Sequence, residues 1–127
     1  MDYSIARDLK LLVGTHNKGK VREYKDLING NAFQIRSLLD EGITLEVEEY
    51  GTSYEENASF KAKAYAEYSG LIALADDSGL EVDALGSAPG HLSARYAGQG
   101  ATEHQNIIRL LGELSDVPWL DRTARFV

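Results

Sequence analysis

The sequence predicts an α/β fold, a mixed sheet flanked by helices, forming one domain over residues 1–127. Short apolar runs typical of strands alternate with segments whose apolar residues recur at helical spacing. Hydrophobic residues make up 43% of the chain, which is enough to bury a core and argues against disorder. Because strands alternate with helices, at least part of the sheet is expected to be parallel.

The first half of the chain contains two predicted strands and one predicted helix. The apolar run LKLLV, residues 9–13, predicts a buried strand. The segment VREYKDLI, residues 21–28, has apolar positions at helical spacing and predicts a helix. FQIRSL, residues 33–38, alternates weakly and predicts a strand, whereas the acidic residues 43–54 predict a loop.

The clearest predicted helix lies between Ser53 and Gly70. Ser53 and Glu56 have the spacing of a capping box, and Gly70 is a natural stop after the helix. LIALA, residues 71–75, then predicts a second buried strand. One face of the helix is expected to pack through small or aromatic side chains, namely Ala58, Ala62, Tyr65, Ala66 and Ser69.

The last third is predicted to contain two short strands around a third helix. EVDAL, residues 81–85, predicts a strand, and residues 86–101 are rich in turn-forming types. Thr102 and Gln105 have the spacing of a second capping box. RTARFV, residues 122–127, predicts the start of another strand. The helix after the capping box carries the apolar residues Ile107, Ile108, Leu110 and Leu111.

The charge and cysteine content restrict the classes of function. The formal net charge of −7 disfavours a nucleic-acid binder, although a nucleotide site needs only local cations. The absence of cysteine excludes disulfides and thiolate chemistry and suits a reducing compartment. MDYSIARDLK lacks the apolar core of a signal peptide, and no apolar run approaches membrane-spanning length. These features predict a soluble, cytoplasmic protein with no membrane or nucleic-acid partner.

The segment THNKGK, residues 15–20, joins the first predicted strand to the first helix. A helix start offers unpaired N–H groups, and its glycine permits close approach to a ligand. Hydroxyl, amide and ammonium groups in the same loop suit a phosphate. The segment is not a Walker loop. The alternative is an ordinary helix cap formed by Asn17, with Lys18 and Lys20 solvated.

Two adjacent carboxylates, Asp76 and Asp77, follow the predicted strand LIALA. Carboxylates at this end of an α/β strand lie where ligands bind, and Mg²⁺ takes one or two of them with phosphate and water. Adjacent residues of a strand point to opposite faces, so only one is expected to face the cleft. The alternative is an Asx-type turn in which both satisfy local N–H groups.

Two further cations and three histidines leave their roles open. Lys61 follows Asn57 by one helical turn and could reach an anion, or it could be solvated beside a glutamate. Arg95 could bind a phosphate or lie on a plain surface loop. The three histidines show no metal-binding spacing; His104 is expected on a helix surface, and the roles of His16 and His91 stay open.

The order of these motifs resembles the inosine/xanthosine triphosphate pyrophosphatase family, the Ham1-like enzymes that remove non-standard purine nucleotides. The resemblance lies in THNKGK, YEENASFKAKAYAEYSG and LADDSGLEVDALGSAPGHLSARYAG, and it extends from about Leu9 to Val127. It implies Mg²⁺-dependent hydrolysis of ITP, dITP or XTP to a monophosphate and pyrophosphate. It also implies a two-lobed α/β fold and a homodimer.

The resemblance also implies roles for particular residues. Asp77 would be a metal ligand and the proposed base, with Asp76 in support, and Glu49 a second metal ligand. Lys61 would bind the triphosphate and Ser78 would contact the substrate. The remaining substrate-binding positions would be Thr15, His16, Asn17, Lys18, Gly19, Lys20 and, less closely matched, Arg95.

Family members continue past RTARFV with FGYDP-like and SHR-like segments that contact the nucleotide, and neither string occurs in this sequence. We therefore expect a domain incomplete at its C-terminus. Three hypotheses remain: a Ham1-like pyrophosphatase, an inactive module that binds nucleotide or metal through the phosphate half of the site, and an interaction protein that pairs through an open sheet edge.

Overall fold

The computed structural model describes residues 9–28 and 33–127, and these residues form two compact units. Unit 1 contains the described residues up to Tyr50 together with Glu55–Asp76, and unit 2 contains Gly51–Tyr54 and Asp77–Val127. Helices and a parallel sheet are both present, so the predicted α/β class is confirmed. The single domain over residues 1–127 stays a prediction.

Unit 1 is built on a parallel three-stranded sheet in the order β2–β1–β3. Strand β1 spans Leu9–Val13, β2 spans Phe33–Ser37 and β3 spans Ile72–Leu74, within the predicted runs. The prediction that β3 is buried is wrong, because β3 is an edge strand of this sheet and its Ile72 is 57% exposed. Val13 lies opposite both Ser37 and Leu74, so the three strands end in register. The residues that follow them therefore share one edge of the sheet.

Two helices follow from the signals in the sequence. Helix α1 spans Lys18–Leu27, and helix α2 spans Tyr54–Ser69, its first residue belonging to unit 2. Helix α2 stops at Gly70, whose φ of +73° favours glycine, and this confirms the predicted stop. The Ser53–Glu56 capping box stays a prediction, although the helix begins directly after Ser53.

The core of unit 1 consists of Leu12, Leu38, Ile43 and Tyr65. The predicted packing face of α2 is only partly right, because Tyr65 alone of that set is fully buried. The buried stripe runs instead along three residues spaced four apart, which lie on one face of the helix. The stripe consists of Asn57, Lys61 and Tyr65.

Unit 2 contains an antiparallel pair of strands, so the sheets are separate rather than one mixed sheet. Strand β4 spans Leu80–Val82 and pairs with β5, Ala124–Phe126. The predicted strand EVDAL is wrong in its second half, because Asp83–Leu85 form a 3₁₀ turn. The turn ends at Gly86 with φ of +61°, and the chain then reverses beside β4.

The rest of unit 2 contains a 3₁₀ segment, Gly90–Arg95, a third helix, α3, spanning Glu103–Glu113, and a 3₁₀ turn at Trp119–Asp121. The capping box of Thr102 and Gln105 is confirmed, with hydrogen bonds of 2.8 and 3.2 Å. Unit 2 also contains a groove of about 500 Å³, hereafter called the apolar groove. Its apolar lining residues include Leu80, Pro89, Ala94, Tyr96, Ile107, Leu110 and Phe126. Across residues 9–28 and 33–127, no helix combines the length and apolarity needed to cross a bilayer.

Asp40 makes the stability of unit 1 depend on acid pH. Its carboxylate accepts hydrogen bonds from the Ser37 backbone N–H at 3.0 Å and from Lys25 Nζ at 3.2 Å. The Ser37 bond, followed by the Lys25 bond, lowers the pKa of Asp40 from 3.8 to about 2. A carboxyl whose pKa is lower in the folded state stabilises the fold above its unfolded pKa, and this stabilisation is lost as the pH falls through the folded value.

We therefore expect Asp40→Asn to have a lower urea midpoint than the parent at pH 6. The difference between the two midpoints should narrow as the pH falls from about 4 to about 2. Urea titrations followed by circular dichroism at several pH values measure this difference. The exposed residue Asp26 supplies the control, because Asp26→Asn removes a carboxylate of α1 outside this turn. A gap for Asp40→Asn that stays constant with pH would contradict the prediction.

Candidate functional site

The loop between β1 and α1 is held by its own polar side chains. Thr15 Oγ1 accepts from the Asn17 backbone N–H at 3.1 Å. Asn17 Oδ1 accepts from the N–H groups of Gly19 at 2.9 Å and Lys20 at 3.1 Å, which makes Asn17 the helix cap. The side-chain oxygen of Asn17 is thus committed to the cap, and its amide nitrogen is the group that can donate to a ligand. Lys18 and Gly19 are exposed.

Lys20 is not solvated, because it pairs with the first of the two adjacent aspartates. Its Nζ lies 2.9 Å from Asp76 Oδ1, and both side chains are half-buried. Tyr24 donates its hydroxyl to the other oxygen, Asp76 Oδ2, at 3.0 Å. Burial, then the hydrogen bond to Asp76, raises the pKa of Tyr24. Tyr24 was not among the predicted site residues, although its position four residues after Lys20 could have placed it on the same helical face.

A second lysine–carboxylate pair connects two residues that the sequence suggested separately. Lys61 Nζ in α2 lies 2.8 Å from Glu49 Oε1, and Lys61 is 7% exposed. Glu49 comes from the irregular acidic segment before α2. The alternative of a solvated lysine beside a glutamate is right about the glutamate and wrong about the solvation, because Lys61 is buried.

His16 anchors this acidic segment to unit 1. Its Nε2 lies 2.9 Å from the Leu45 carbonyl oxygen, which also accepts the Tyr65 hydroxyl at 2.9 Å. Because a carbonyl can only accept, Nε2 carries a proton. The imidazole also meets the Tyr65 ring edge-on, at 6.4 Å between centroids. A cavity of about 560 Å³ borders Thr15, His16 and Lys18 within unit 1.

The other predicted residues belong to unit 2, whose boundary with unit 1 falls between Asp76 and Asp77. Asp77 is half-buried; its charge helps to raise the pKa of Tyr54 to about 12, after burial and the hydrogen bond to Glu81. Ser78 is exposed at the apolar groove. Arg95 Nη2 donates to the Gly51 carbonyl at 2.9 Å. Its Nη1 is buried without a hydrogen-bond partner in the described part of the chain.

Each unit thus brings together part of the predicted site. Unit 1 contains the loop of residues 15–20, Glu49, Lys61 and Asp76, and unit 2 contains Asp77, Ser78 and Arg95. Apart from residues 1–8 and 29–32, which are not described, no three His, Asp or Glu side chains are grouped to hold a metal. The donor types nevertheless fit Mg²⁺, which takes one or two carboxylates and completes its shell with phosphate and water.

A parallel sheet with a polar loop before its first helix, and with two lysine–carboxylate pairs in the same unit, defines a protein of the α/β class. The sequence matches the Ham1 family model over residues 11–127, and the chain therefore belongs to the Ham1 family. The predicted family is confirmed.

Several relatives resemble the chain over most of its length. It is 47% identical over 117 residues to the dITP/XTP pyrophosphatase of Bacillus licheniformis, covering 92% of this chain and 60% of the relative. It is 50% identical over 117 residues to the dITP/XTP pyrophosphatase of Geobacter sulfurreducens, covering 92% of this chain and 59% of the relative. The chain thus spans about three fifths of the length of these relatives.

A solved structure of a Ham1 protein from Coxiella burnetii has the same fold. It superposes with a TM-score of 0.73 at 37% identity, covering 93% of this chain and 59% of the other. The nucleoside-triphosphatase, or dITP/XTP pyrophosphatase, of Mycobacterium abscessus superposes with a TM-score of 0.69 at 41% identity, covering 93% of this chain and 62% of the other.

Proposed function

We propose that this chain carries the phosphate-binding and metal-binding part of a nucleoside triphosphate pyrophosphatase that acts on non-standard purine nucleotides, namely ITP, dITP and XTP. The observation that carries the proposal is the presence of two lysine–carboxylate pairs in unit 1, Lys20–Asp76 and Lys61–Glu49. A triphosphate can take both lysines from their present partners, since it offers them several anionic oxygens. The relatives named dITP/XTP pyrophosphatase support the same reaction.

In the proposed reaction, water attacks the α-phosphorus, the bond between the α-phosphorus and the bridging oxygen breaks, and a monophosphate and pyrophosphate are released. Asp77 orients the attacking water and accepts its proton. Lys20 and Lys61 balance the charge of the phosphates. The remaining proposed contacts to the substrate come from Thr15, His16, Asn17, Lys18, Gly19, Ser78 and Arg95.

Mg²⁺ is the proposed cofactor, with Glu49 and Asp77 as its carboxylate ligands. When bound, it would neutralise charge on the phosphate oxygens. Lys61 would then leave Glu49 for the triphosphate, and Mg²⁺ would take the place of the Lys61 ammonium beside the Glu49 carboxylate. The Glu49 carboxylate would thus keep a cation beside it after the exchange, which favours the fit.

We also propose that the protein acts as a homodimer in the cytoplasm. Phe126 is 85% exposed and Ile107 46% exposed at the apolar groove, and a second copy would remove this apolar surface from water. The lack of cysteine suits a reducing compartment. Sedimentation equilibrium of the chain and of Phe126→Ser tests the assembly: a dimer weakened by the substitution supports it, and a monomer contradicts it.

Pyrophosphate release from dITP, XTP and ATP, with and without Mg²⁺, tests the proposed reaction. We expect Mg²⁺-dependent release by the parent chain, and a decrease of about a hundredfold in Asp77→Asn, because the base is lost. Asp116→Asn, an exposed carboxylate of unit 2, is the control and should retain the parent rate.

The outcome separates the remaining hypotheses. Parent release no greater than that of Asp77→Asn would contradict the proposed enzyme. Mg²⁺-dependent binding of dITP without release would favour a nucleotide-binding module instead. A stable oligomer that binds no nucleotide would favour an interaction protein.

A further inference from the structure

We propose that Tyr24 is a positioning residue that keeps Asp76 in place when Lys20 leaves it for a substrate phosphate. This inference rests on the proposed function and extends it to a residue outside the predicted site. Its basis is that Asp76 is bound through both oxygens by two different kinds of group. Lys20 supplies a charge that a phosphate can compete for, and Tyr24 supplies a neutral hydroxyl.

The geometry separates the two partners of Asp76. Lys20 Nζ lies 2.9 Å from Oδ1, and the Tyr24 hydroxyl lies 3.0 Å from Oδ2. Lys20 and Tyr24 are one turn apart on α1 and so present both donors from a single face. Asp76 follows β3, at the edge of the sheet where α1 begins. The Lys20 and Asp76 side chains are 20% and 30% exposed, so water screens their interaction incompletely.

A triphosphate changes the energetics of this arrangement. If Lys20 turns to a phosphate oxygen, Asp76 loses its cation and faces a polyanion instead. A hydrogen bond from a neutral hydroxyl stabilises the carboxylate without competing for the phosphate. Without the Tyr24 hydroxyl, the Asp76 carboxylate would depend more on Lys20 and would hold it more tightly. The phosphate would then bind more weakly, because each departure of Lys20 would cost more.

A purely structural role for Tyr24 makes a different prediction. Loss of the hydroxyl would then reduce stability or binding by the same factor whether or not residue 76 carries a charge. The positioning role requires that the effect of Tyr24 on phosphate affinity act through the Asp76 carboxylate. A double-mutant cycle separates these two cases.

The experiment measures inorganic triphosphate binding by calorimetry, in the presence of Mg²⁺, for the parent, Tyr24→Phe, Asp76→Asn and the double variant. We expect Tyr24→Phe to weaken binding about tenfold in the parent and less than about twofold in the Asp76→Asn background. Tyr68→Phe, an exposed tyrosine of α2, is the matched control and should bind like the parent. With dITP as substrate, Tyr24→Phe should raise KM and leave kcat nearly unchanged.

Three results would each overturn the positioning role. In the first, Tyr24→Phe weakens triphosphate binding equally with Asp76 and with Asp76→Asn; in the second, Tyr24→Phe does not weaken it at all; in the third, the parent does not bind triphosphate. Failure of the proposed function looks different: the parent would bind triphosphate and show the expected cycle, yet release no pyrophosphate from dITP. Circular dichroism of each variant confirms that it is folded before binding is compared.

Discussion

Gly79→Ala is expected to destabilise unit 2 by about 4 kcal/mol or more, because there is no room for a methyl group at this position. A Cβ built on Gly79 would lie 2.1 Å from the Gly90 carbonyl oxygen and 2.9 Å from Ser93 Oγ. The first of these atoms is backbone, so no change of rotamer can relieve the overlap. The cause is therefore a close approach of two backbone segments rather than an unusual φ at Gly79.

Four hydrogen bonds hold the backbone around Gly79 in place. Gly79 N–H donates to the Val127 carbonyl, and Val127 N–H donates to the Gly79 carbonyl, both at 2.9 Å. Ser93 Oγ donates to the Gly90 carbonyl at 2.6 Å and accepts from Leu80 N–H at 2.9 Å. Moving the backbone to admit a methyl group would disturb all four hydrogen bonds at once.

Urea unfolding gives the loss of stability, and hydrogen exchange of the β4 and β5 amides locates it. Gly112→Ala is the matched control in the same unit, because a Cβ there meets no atom within 4 Å. That variant should be unchanged or more stable by up to about 1 kcal/mol, since alanine favours the helix. A Gly79→Ala protein with the unfolding midpoint of the parent would show that the two segments do not pack this closely.

Local signals in the sequence were enough to place most elements. Asn17, Thr102 and Gly70 fix helix ends through side-chain hydrogen bonds or a positive φ, and such effects need no distant residue. The apolar runs gave β1 and β3, and the weak alternation of residues 33–38 gave β2, for the same reason. EVDAL was different, because the Asp83 carboxylate at the start of the turn accepts hydrogen bonds from Thr123 and Arg125, which are 40 and 42 residues away.

The candidate site depends even more on contacts between residues that are distant in the sequence. The types of residue could be chosen from the sequence, since lysines and carboxylates suit phosphate and metal. Their pairing could not, because Lys20 and Asp76 are 56 residues apart and meet only when β1 and β3 lie side by side. Tyr24 was missed for this reason: on α1 alone it is an ordinary apolar position of the helix. The closeness of Gly79 to Gly90 likewise exists only in the folded backbone.

Glu49→Gln is expected to destabilise unit 1 by about 3 kcal/mol, because it leaves the Lys61 ammonium buried without its anion. Lys61 is 7% exposed and lies in the buried stripe between Asn57 and Tyr65, so water cannot readily replace the carboxylate. Lys61→Met should cost less, about 1 kcal/mol, for two reasons. Methionine retains most of the apolar stem, and the 22% exposed Glu49 side chain can turn toward water.

The double variant Glu49→Gln/Lys61→Met tests whether the charge pair is the cause. Because it removes both charges together, it should be more stable than Glu49→Gln alone by about 2 kcal/mol. Urea unfolding of the four proteins gives the coupling energy, and Glu48→Gln, an exposed neighbour, should leave stability unchanged. Calorimetry with triphosphate adds an independent measure: both proteins that carry Lys61→Met should bind it at least about tenfold more weakly, since they lack the cation. If the two single losses simply add, Lys61 does not depend on Glu49 for its burial, and the proposed exchange of Glu49 for phosphate loses its basis.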